Sequence, residues 1–302
     1  MLVSGWVALD DIETPFGARS AILGGSAPAA AMGAALFTDV RLLAAIGEDF
    51  PEQHLRDFER FDIDLAGLTV IPGGKTSRWS GRYHYDMNSR DTIETILGVN
   101  ADWAPCLPPG WEHSETAFLA AGDPVVQCTL MESMPGLRAA MVDTIKFYID
   151  NSRDDVWKAM TAADFVSINE SEARDLASSP SIARAGRKLL ERGARAVIVK
   201  LGEFGAAFIS GEEYFVAPGF PLEEVVDPTG AGDAFAGGFM GYLDSVPRIT
   251  SREIRRAMIY GSTVASFQVE GFGPSRLLTL TREEVEARYR KFRELTHFEV
   301  DA

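Results

Sequence analysis

A doubly wound α/β domain, a mostly parallel sheet flanked by helices, is the fold class predicted by three features. Short apolar runs alternate with helix-length segments, as in Thr116–Ala121, Pro124–Met134, Ala139–Thr144, Asp154–Thr161 and Asp164–Ile168. Such alternation builds parallel sheets with right-handed crossovers and helices on both faces. The 302 residues, 46% hydrophobic, suffice for one large domain with a sizeable core. A glycine-rich turn, Asp227–Asp233, joins an apolar run ending at Val226 to a helix-capable run beginning near Ala231.

Composition narrows the function. With 29 Lys and Arg against 44 Asp and Glu, the net charge of −15 argues against a nucleic-acid or anionic-membrane surface. Cys106 and Cys128 form neither a CxxC pair nor a metal spacing, and read as free thiols in a reducing cytosol. Met1 leads into an apolar run without a basic segment, and no apolar run is long enough to span a bilayer. A cytoplasmic protein is expected.

The turn from Asp227 to Asp233 carries the clearest chemistry. Gly230 and Gly232 lack a Cβ, so consecutive N–H groups there can converge on one point. The positive end of the following helix makes such a turn an anion site. Asp233 falls in the first helical turn, beside that anion. A carboxylate there is an odd neighbour unless it accepts a proton from a nucleophile attacking the anion. Phosphoryl transfer needs both parts, donors for the transferred group and a base for the acceptor hydroxyl. The plainer alternative is a glycine turn whose aspartate complements a helix N-terminus.

Taken in order, Leu2–Leu9 reads as one buried strand whose C-terminal end presents Asp10 and Asp11, where open α/β sheets bind ligands. Gly24-Gly25-Ser26-Ala27-Pro28 introduces a small-residue helix, Ala29–Phe37; the double glycine is either a ligand approach or a plain turn. Val40–Ile46 reads as a strand and Pro51–Phe61 as an amphipathic helix. Pro72-Gly73-Gly74-Lys75-Thr76 is not a P-loop, because Thr69 stands where GxxxxGK[ST] begins and alternation follows rather than a helix. In that alternation Trp79, Gly81, Tyr83 and Tyr85 share one strand face, and Arg78, Arg82 and surface His84 the other. With Thr92–Val99 this predicts a small sheet acting as a lid, inserted at about 10–20 and 70–101 of a single domain spanning 1–302. Its aromatic face also suits a homodimer contact. Lys146, near Asp143 at a strand end, either neutralises phosphate or is solvated. Asn169 and Glu172 read as an N-cap and its capping-box partner. Lys200–Ala206, with two glycines, is a tight hairpin or a nucleotide-approach turn, and Glu213–Pro218 a further strand. Gly237, Gly238 and Gly241 cost a helix roughly 1 kcal/mol each against alanine, which implies close approach by a neighbour. Ile254–Val269 is a small-residue helix, and Arg282–Leu295 a charged, solvated cover.

Five of these motifs, in order along almost the whole chain, resemble the ribokinase-like (PfkB-type) carbohydrate kinases: Asp10, Gly24-Gly25, Asn169 with Glu172, Lys200–Gly205, and Asp227–Asp233. The resemblance implies a ribokinase-like fold with a small β-sheet lid. It also implies ATP- and Mg²⁺-dependent phosphorylation of a hydroxyl on a small sugar or sugar-like acceptor. Gly230, Ala231 and Gly232 would hold the transferred phosphoryl group, with Asp233 as catalytic base. Asp10, Gly24, Gly25, Ser26 and Asn100 would bind the acceptor. Asn169, Lys200, Gly202, Gly205 and Gly261 would border the nucleotide, Glu172 would act on Mg²⁺ through water, and Asp227 and Thr229 match a monovalent-cation (K⁺) site. Two positions depart: Ala8 and Ala29 stand where the family usually carries Asn, removing two polar contacts to a ribose-like acceptor. A nucleoside acceptor would require an aromatic slot near the lid, for which Trp79, Tyr83 and Phe16 are candidates. A silent metabolite-binding member is the third reading, against which the intact Asp233 and glycine turn speak.

Overall fold

The structure, a computed structural model, describes residues 1–297. In chain order its strands are β1 (Leu2–Ser4), β2 (Ala8–Thr14), β3 (Gly17–Gly24), β4 (Arg41–Gly47), β5 (Leu68–Ile71), β6 (Ser77–Tyr83), β7 (Arg90–Ile96), β8 (Thr116–Leu119), β9 (Ala139–Asp143), β10 (Phe165–Asn169), β11 (Ala196–Lys200), β12 (Ala206–Ser210) and β13 (Tyr214–Ala217). A nine-stranded sheet runs β13-β12-β11-β10-β9-β8-β1-β4-β5, and a four-stranded sheet runs β3-β2-β6-β7. The large sheet is parallel from β11 to β5, with β12 and β13 added as an antiparallel meander. The ribokinase-like α/β fold with a smaller lid sheet is therefore present.

Period-two alternation builds a core on each face of the large sheet. Phe118, Met141 and Ile198 pack on one side with Phe239 and Val264. Their neighbours Leu119, Val142 and Val199 pack on the other with Ile168 and Leu189.

The apolar run Leu2–Leu9 is not one strand. β1 ends at Ser4, and the next backbone polar groups leave the sheet: Trp6 N–H donates to Ser26 Oγ at 3.1 Å, and the Trp6 carbonyl accepts from Ala27 N–H at 3.0 Å. Asp10 and Asp11 consequently lie inside lid strand β2, not at the end of a central strand. The break is invisible to hydropathy because Leu2–Gly5 and Val7–Asp10 are all buried. β5, a parallel edge strand of the large sheet, accounts for the start of the segment expected in the lid.

The small-residue helices explain the glycines. Helix Ser26–Ala35 packs against helix Ala231–Ser245, which packs in turn on Ser251–Gln268. A Cβ on Gly237 would lie 2.2 Å from the Ala30 carbonyl oxygen, and one on Gly241 2.7 Å from Ala34 Cα. This close approach seats the glycine turn before Ala231 directly over the first turn of Ser26–Ala35. Gly237→Ala would normally favour a helix; here we expect overpacking to destabilise the fold by about 1–3 kcal/mol, read as a lower urea midpoint at unchanged m-value.

Candidate active site

The site lies where β9, β10 and β11 end and the lid sheet folds over them. β2 and β3 form one wall. Between Asp10 and Ile12 the ladder carries a bulge, with Ala21 opposite at φ 53° and its N–H on Asp11 Oδ1 at 2.8 Å. The bulge separates the two acids: Asp10 turns inward, 3% exposed, and Asp11 ties the strand pair. Gly24 makes room for Asp10, since a Cβ there would stand 2.1 Å from its carboxyl carbon. Gly25, at φ 87°, begins helix Ser26–Ala35. Burial pushes the Asp10 carboxyl up to about 7, against the pull of the Gly25 N–H and with help from Asp227. Its Oδ1 is buried without a hydrogen-bond partner among the described residues, as expected of a group waiting for a ligand hydroxyl.

Opposite stands the glycine turn. Gly230, at φ 75°, precedes helix Ala231–Ser245, whose N-terminus no side chain caps. Asp233 sits half-buried in that first turn. Burial, with Asp143 and Asp10 nearby, pushes its carboxyl up to about 8 despite Lys200 and Arg90. The Lys200 ammonium lies against Gly232, about 3.1 Å from where a Cβ would be, and pairs with the Asp143 carboxylate. Burial opposes the Lys200 charge, but Asp143, Asp233 and Glu172 outweigh it and hold the amine above the usual lysine pKa. An ammonium beside an uncapped helix terminus is a cradle for phosphate.

Asn169 and Glu172 form a complete capping box: Glu172 N–H donates to Asn169 Oδ1, and Asn169 N–H to Glu172 Oε2, both at 2.9 Å. The local reading of this motif is thus what the geometry contains, and the cap also fixes Glu172 beside Asp143 and Lys200. Burial, then Asp143, pushes Glu172 up to about 7.

Other expected site residues have different work. Ser26 Oγ accepts from Trp6 N–H and donates to the Ala121 carbonyl at 3.0 Å, so its hydroxyl is engaged within the protein. Gly261 is buried against Phe235, whose carbonyl oxygen is 2.8 Å from the position of a Cβ, and serves helix packing. Asp227 accepts from Thr229 N–H and Gly273 N–H, both at 2.9 Å, clamping the glycine turn to the loop after helix Ser251–Gln268. Gly205, at φ 95°, closes the β11–β12 hairpin, and Gly202, at φ 59°, faces Asn88 of the lid. Lys146 pairs with Asp150 and Asp175 at the surface, at 2.8 and 3.0 Å. Ala29, in place of an asparagine, packs its methyl on Gly230.

The lid meets the site through residues that motif reading passed over. Tyr83 and Thr229 share a hydrogen bond at 3.1 Å, and Asn88 donates to Glu203 at 3.1 Å. Arg90, paired with Tyr83 across the β6–β7 ladder, lies 5.6 Å over the Trp79 ring and directs its charge at Asp233 and Glu172. Asp143 and Arg90 belong to no short motif; only the convergence of β9 with a lid strand reveals them. The aromatic slot expected at Trp79, Tyr83 and Phe16 is not formed: Arg90 covers Trp79, Tyr83 is engaged with Thr229, and Phe16 is 55% exposed.

A profile described as pfkB family carbohydrate kinase matches residues 17–280. The chain belongs to that family. It is 32% identical over 254 residues to the cytidine kinase of Thermococcus kodakarensis, covering 82% of this chain and 90% of the relative. Over 258 residues it is 26% identical to the deoxyribokinase of Salmonella typhimurium, covering 83% and 82%. The nucleoside kinase of Methanocaldococcus jannaschii shares the fold at a TM-score of 0.76 and 21% identity, over 96% of this chain and 98% of that one. As a pfkB kinase the protein is a phosphotransferase acting on an alcohol group. Among the described residues no helix is long and apolar enough to cross a membrane.

Asp10, Glu172 and Asp233 all bind protons more tightly folded than unfolded, so they stabilise the fold fully below the ordinary carboxylate pKa. That contribution is lost as pH rises through about 7 to 8. In ligand-free protein we expect these groups to lower the melting temperature between about pH 4 and 8, and Asp233→Asn to flatten the fall; parallel profiles for the two proteins would contradict it.

Proposed function

We propose that the protein transfers the γ-phosphoryl group of ATP to a hydroxyl of a small sugar-bearing acceptor, with Asp233 as general base. The observation that carries this reading is Asp233 in the first turn of an uncapped helix, with the Lys200 ammonium against Gly232. Asp10, with its unpartnered Oδ1, orients the acceptor. Asp233 takes the hydroxyl proton as the oxygen bonds to phosphorus and the bond to the β–γ bridging oxygen breaks. The N–H groups of the Gly230–Gly232 turn, with Lys200 and Arg90, stabilise the charge on the transferred group. Asn169, Gly202 and Gly205 border the nucleotide.

No three His, Cys, Asp or Glu among the described residues stand close enough to hold a metal alone. The carboxylates that would hold Mg²⁺ here are Glu172 and its neighbour Asp143, acting through water. Bound so, Mg²⁺ would neutralise phosphate charge and lower the repulsion felt by the buried carboxylates. Asp227 and Thr229 enter the proposal as the clamp of the turn rather than as K⁺ ligands. Residues 1–302 act as one kinase domain. β7, exposed along its whole length and with Ile93 57% and Ile96 43% exposed, supports a homodimer through the lids; a monomer in sedimentation velocity would dispose of that part.

A nucleoside acceptor is the second reading, favoured by the cytidine kinase relative and by Trp6 and Trp103 beside Asn100.

Coupled ADP release with ATP and Mg²⁺ across sugars, polyols and nucleosides tests the activity. Asp233→Asn should fold and bind nucleotide while kcat falls by about 10²–10⁴-fold; wild-type turnover in that variant would remove the base role.

A further inference from the structure

Asn100 stands where the second lid stem re-enters the large domain, in the short helical turn Gly98–Ala101 just after β7. Ser77 begins the first stem, β6. The Ser77 hydroxyl has one proton, which goes to the Leu97 carbonyl. Towards Asn100 it can therefore only accept, and the atom 2.6 Å away must be the amide nitrogen Nδ2. That fixes the orientation of the amide and leaves Oδ1 as a buried acceptor without a donor among the described residues.

A cavity of about 30 Å³ opens beside Asn100, walled by Trp6, Trp103, Gly122, Asp123 and Gln127. It has room for one small polar group, not a whole ring. The Gln127 NH₂ is already engaged with the carbonyls of Leu119, Ala120 and Asp143 at 3.1, 3.0 and 2.8 Å. Of the lining side chains, Asn100 is the one with a buried polar atom that lacks a partner among the described residues, and that atom is an acceptor, so the cavity suits a donor. Trp6 links it to the acceptor position: the Trp6 carbonyl oxygen lies 2.4 Å from where a Cβ on Gly25 would be, next to the glycine that makes room for Asp10.

We propose that Asn100 Oδ1 receives the exocyclic amino group of a nucleobase, making this a kinase of amino-bearing nucleosides whose base edge enters between Trp6 and Trp103. The inference rests on the nucleoside reading above and adds the group that is recognised. Both lid stems hang on the same amide, so the base is read at the hinge of the lid.

The test compares kcat/KM in paired acceptors differing in an amino or a carbonyl group: cytidine against uridine, and adenosine against inosine. The amino member of at least one pair should win by about tenfold or more, because a site built to hydrogen-bond a donor rejects the analogue that lacks it. Asn100→Ala should collapse that ratio. Ser77→Ala should also lower it, by freeing the amide to turn its nitrogen towards a carbonyl, an effect that lost packing alone would not produce. Equal use of both members by the wild type, or a preference unchanged in Asn100→Ala, would overturn the proposal and leave Oδ1 to a buried water. Turnover of free sugars alone would overturn it while leaving the kinase reading intact, and no turnover of any acceptor with ATP bound would remove both.

Discussion

One ammonium group holds the site together. Lys200 leaves the end of β11 and reaches Asp143 at the end of β9, with Glu172 fixed beyond β10 and Asp233 across the glycine turn. Parallel register brings these strand ends level, with Asn169 opposite Lys200 and Ser167 opposite Asp143. Three acids crowded into a low-dielectric corner repel one another; burial first, and then the charge of Asp143, raise the pKa values of Glu172 and Asp233. Lys200 is the cation from the body of the protein that makes the crowding tolerable. Arg90 is a second cation, and it comes from the lid. The electrostatics of the base thus depend on whether the lid is down, because Asp233 is held towards its ionised form by both charges together.

The same arrangement explains why the anion turn needs its small-residue surroundings. A glycine turn binds phosphate only if the backbone on either side is rigid and close. Ala29 touches Gly230 from one side and Gln268 from the other, while Gln268 Nε2 bonds the Thr229 carbonyl at 3.0 Å. Asp227 ties the turn to Gly273. Helix Ala231–Ser245 reaches this position only because Gly237 and Gly241 let it approach Ser26–Ala35. The poor helix propensity of those glycines is outweighed by the placement of one turn.

Where sequence and structure agree, a local rule was sufficient. Strand–helix alternation set out the parallel sheet, and the glycine turn and the Asn169–Glu172 cap each announce themselves within a few residues. Where they part, the deciding contact is distant. The chain leaves the sheet after Ser4 because of Ser26 and Ala27, some twenty residues on, and nothing in the apolar run Leu2–Leu9 records it. In the sequence Asp143 is an ordinary strand end; the fold brings Lys200 to it from β11. Gly261 and Gly202 are both expected beside the nucleotide, yet Gly261 is buried against Phe235 while Gly202 stands at the β11–β12 hairpin under Asn88 of the lid. Spacing alone could not distinguish them.

The lid itself is held down by modest bonds. Tyr83 with Thr229 and Asn88 with Glu203 are single contacts, each contributing about 0.5–1.5 kcal/mol net. The stems are tied more firmly, by Thr76 N–H on Asp49 at 2.7 Å, Thr76 Oγ1 under Gly47 N–H at 3.0 Å and the Ser77–Asn100 pair. A firmly rooted sheet with weak distal contacts can open at its tip without losing its hinge. Tyr83 touches the phosphate turn and Asn88 the β11–β12 hairpin, and Asp10 of the same sheet lines the acceptor wall, so one sheet carries contacts to both substrates. Arg90 already directs its charge at Asp233 with these contacts in place, so whatever loosens the tip of the lid also weakens the charge that holds the base towards its ionised form.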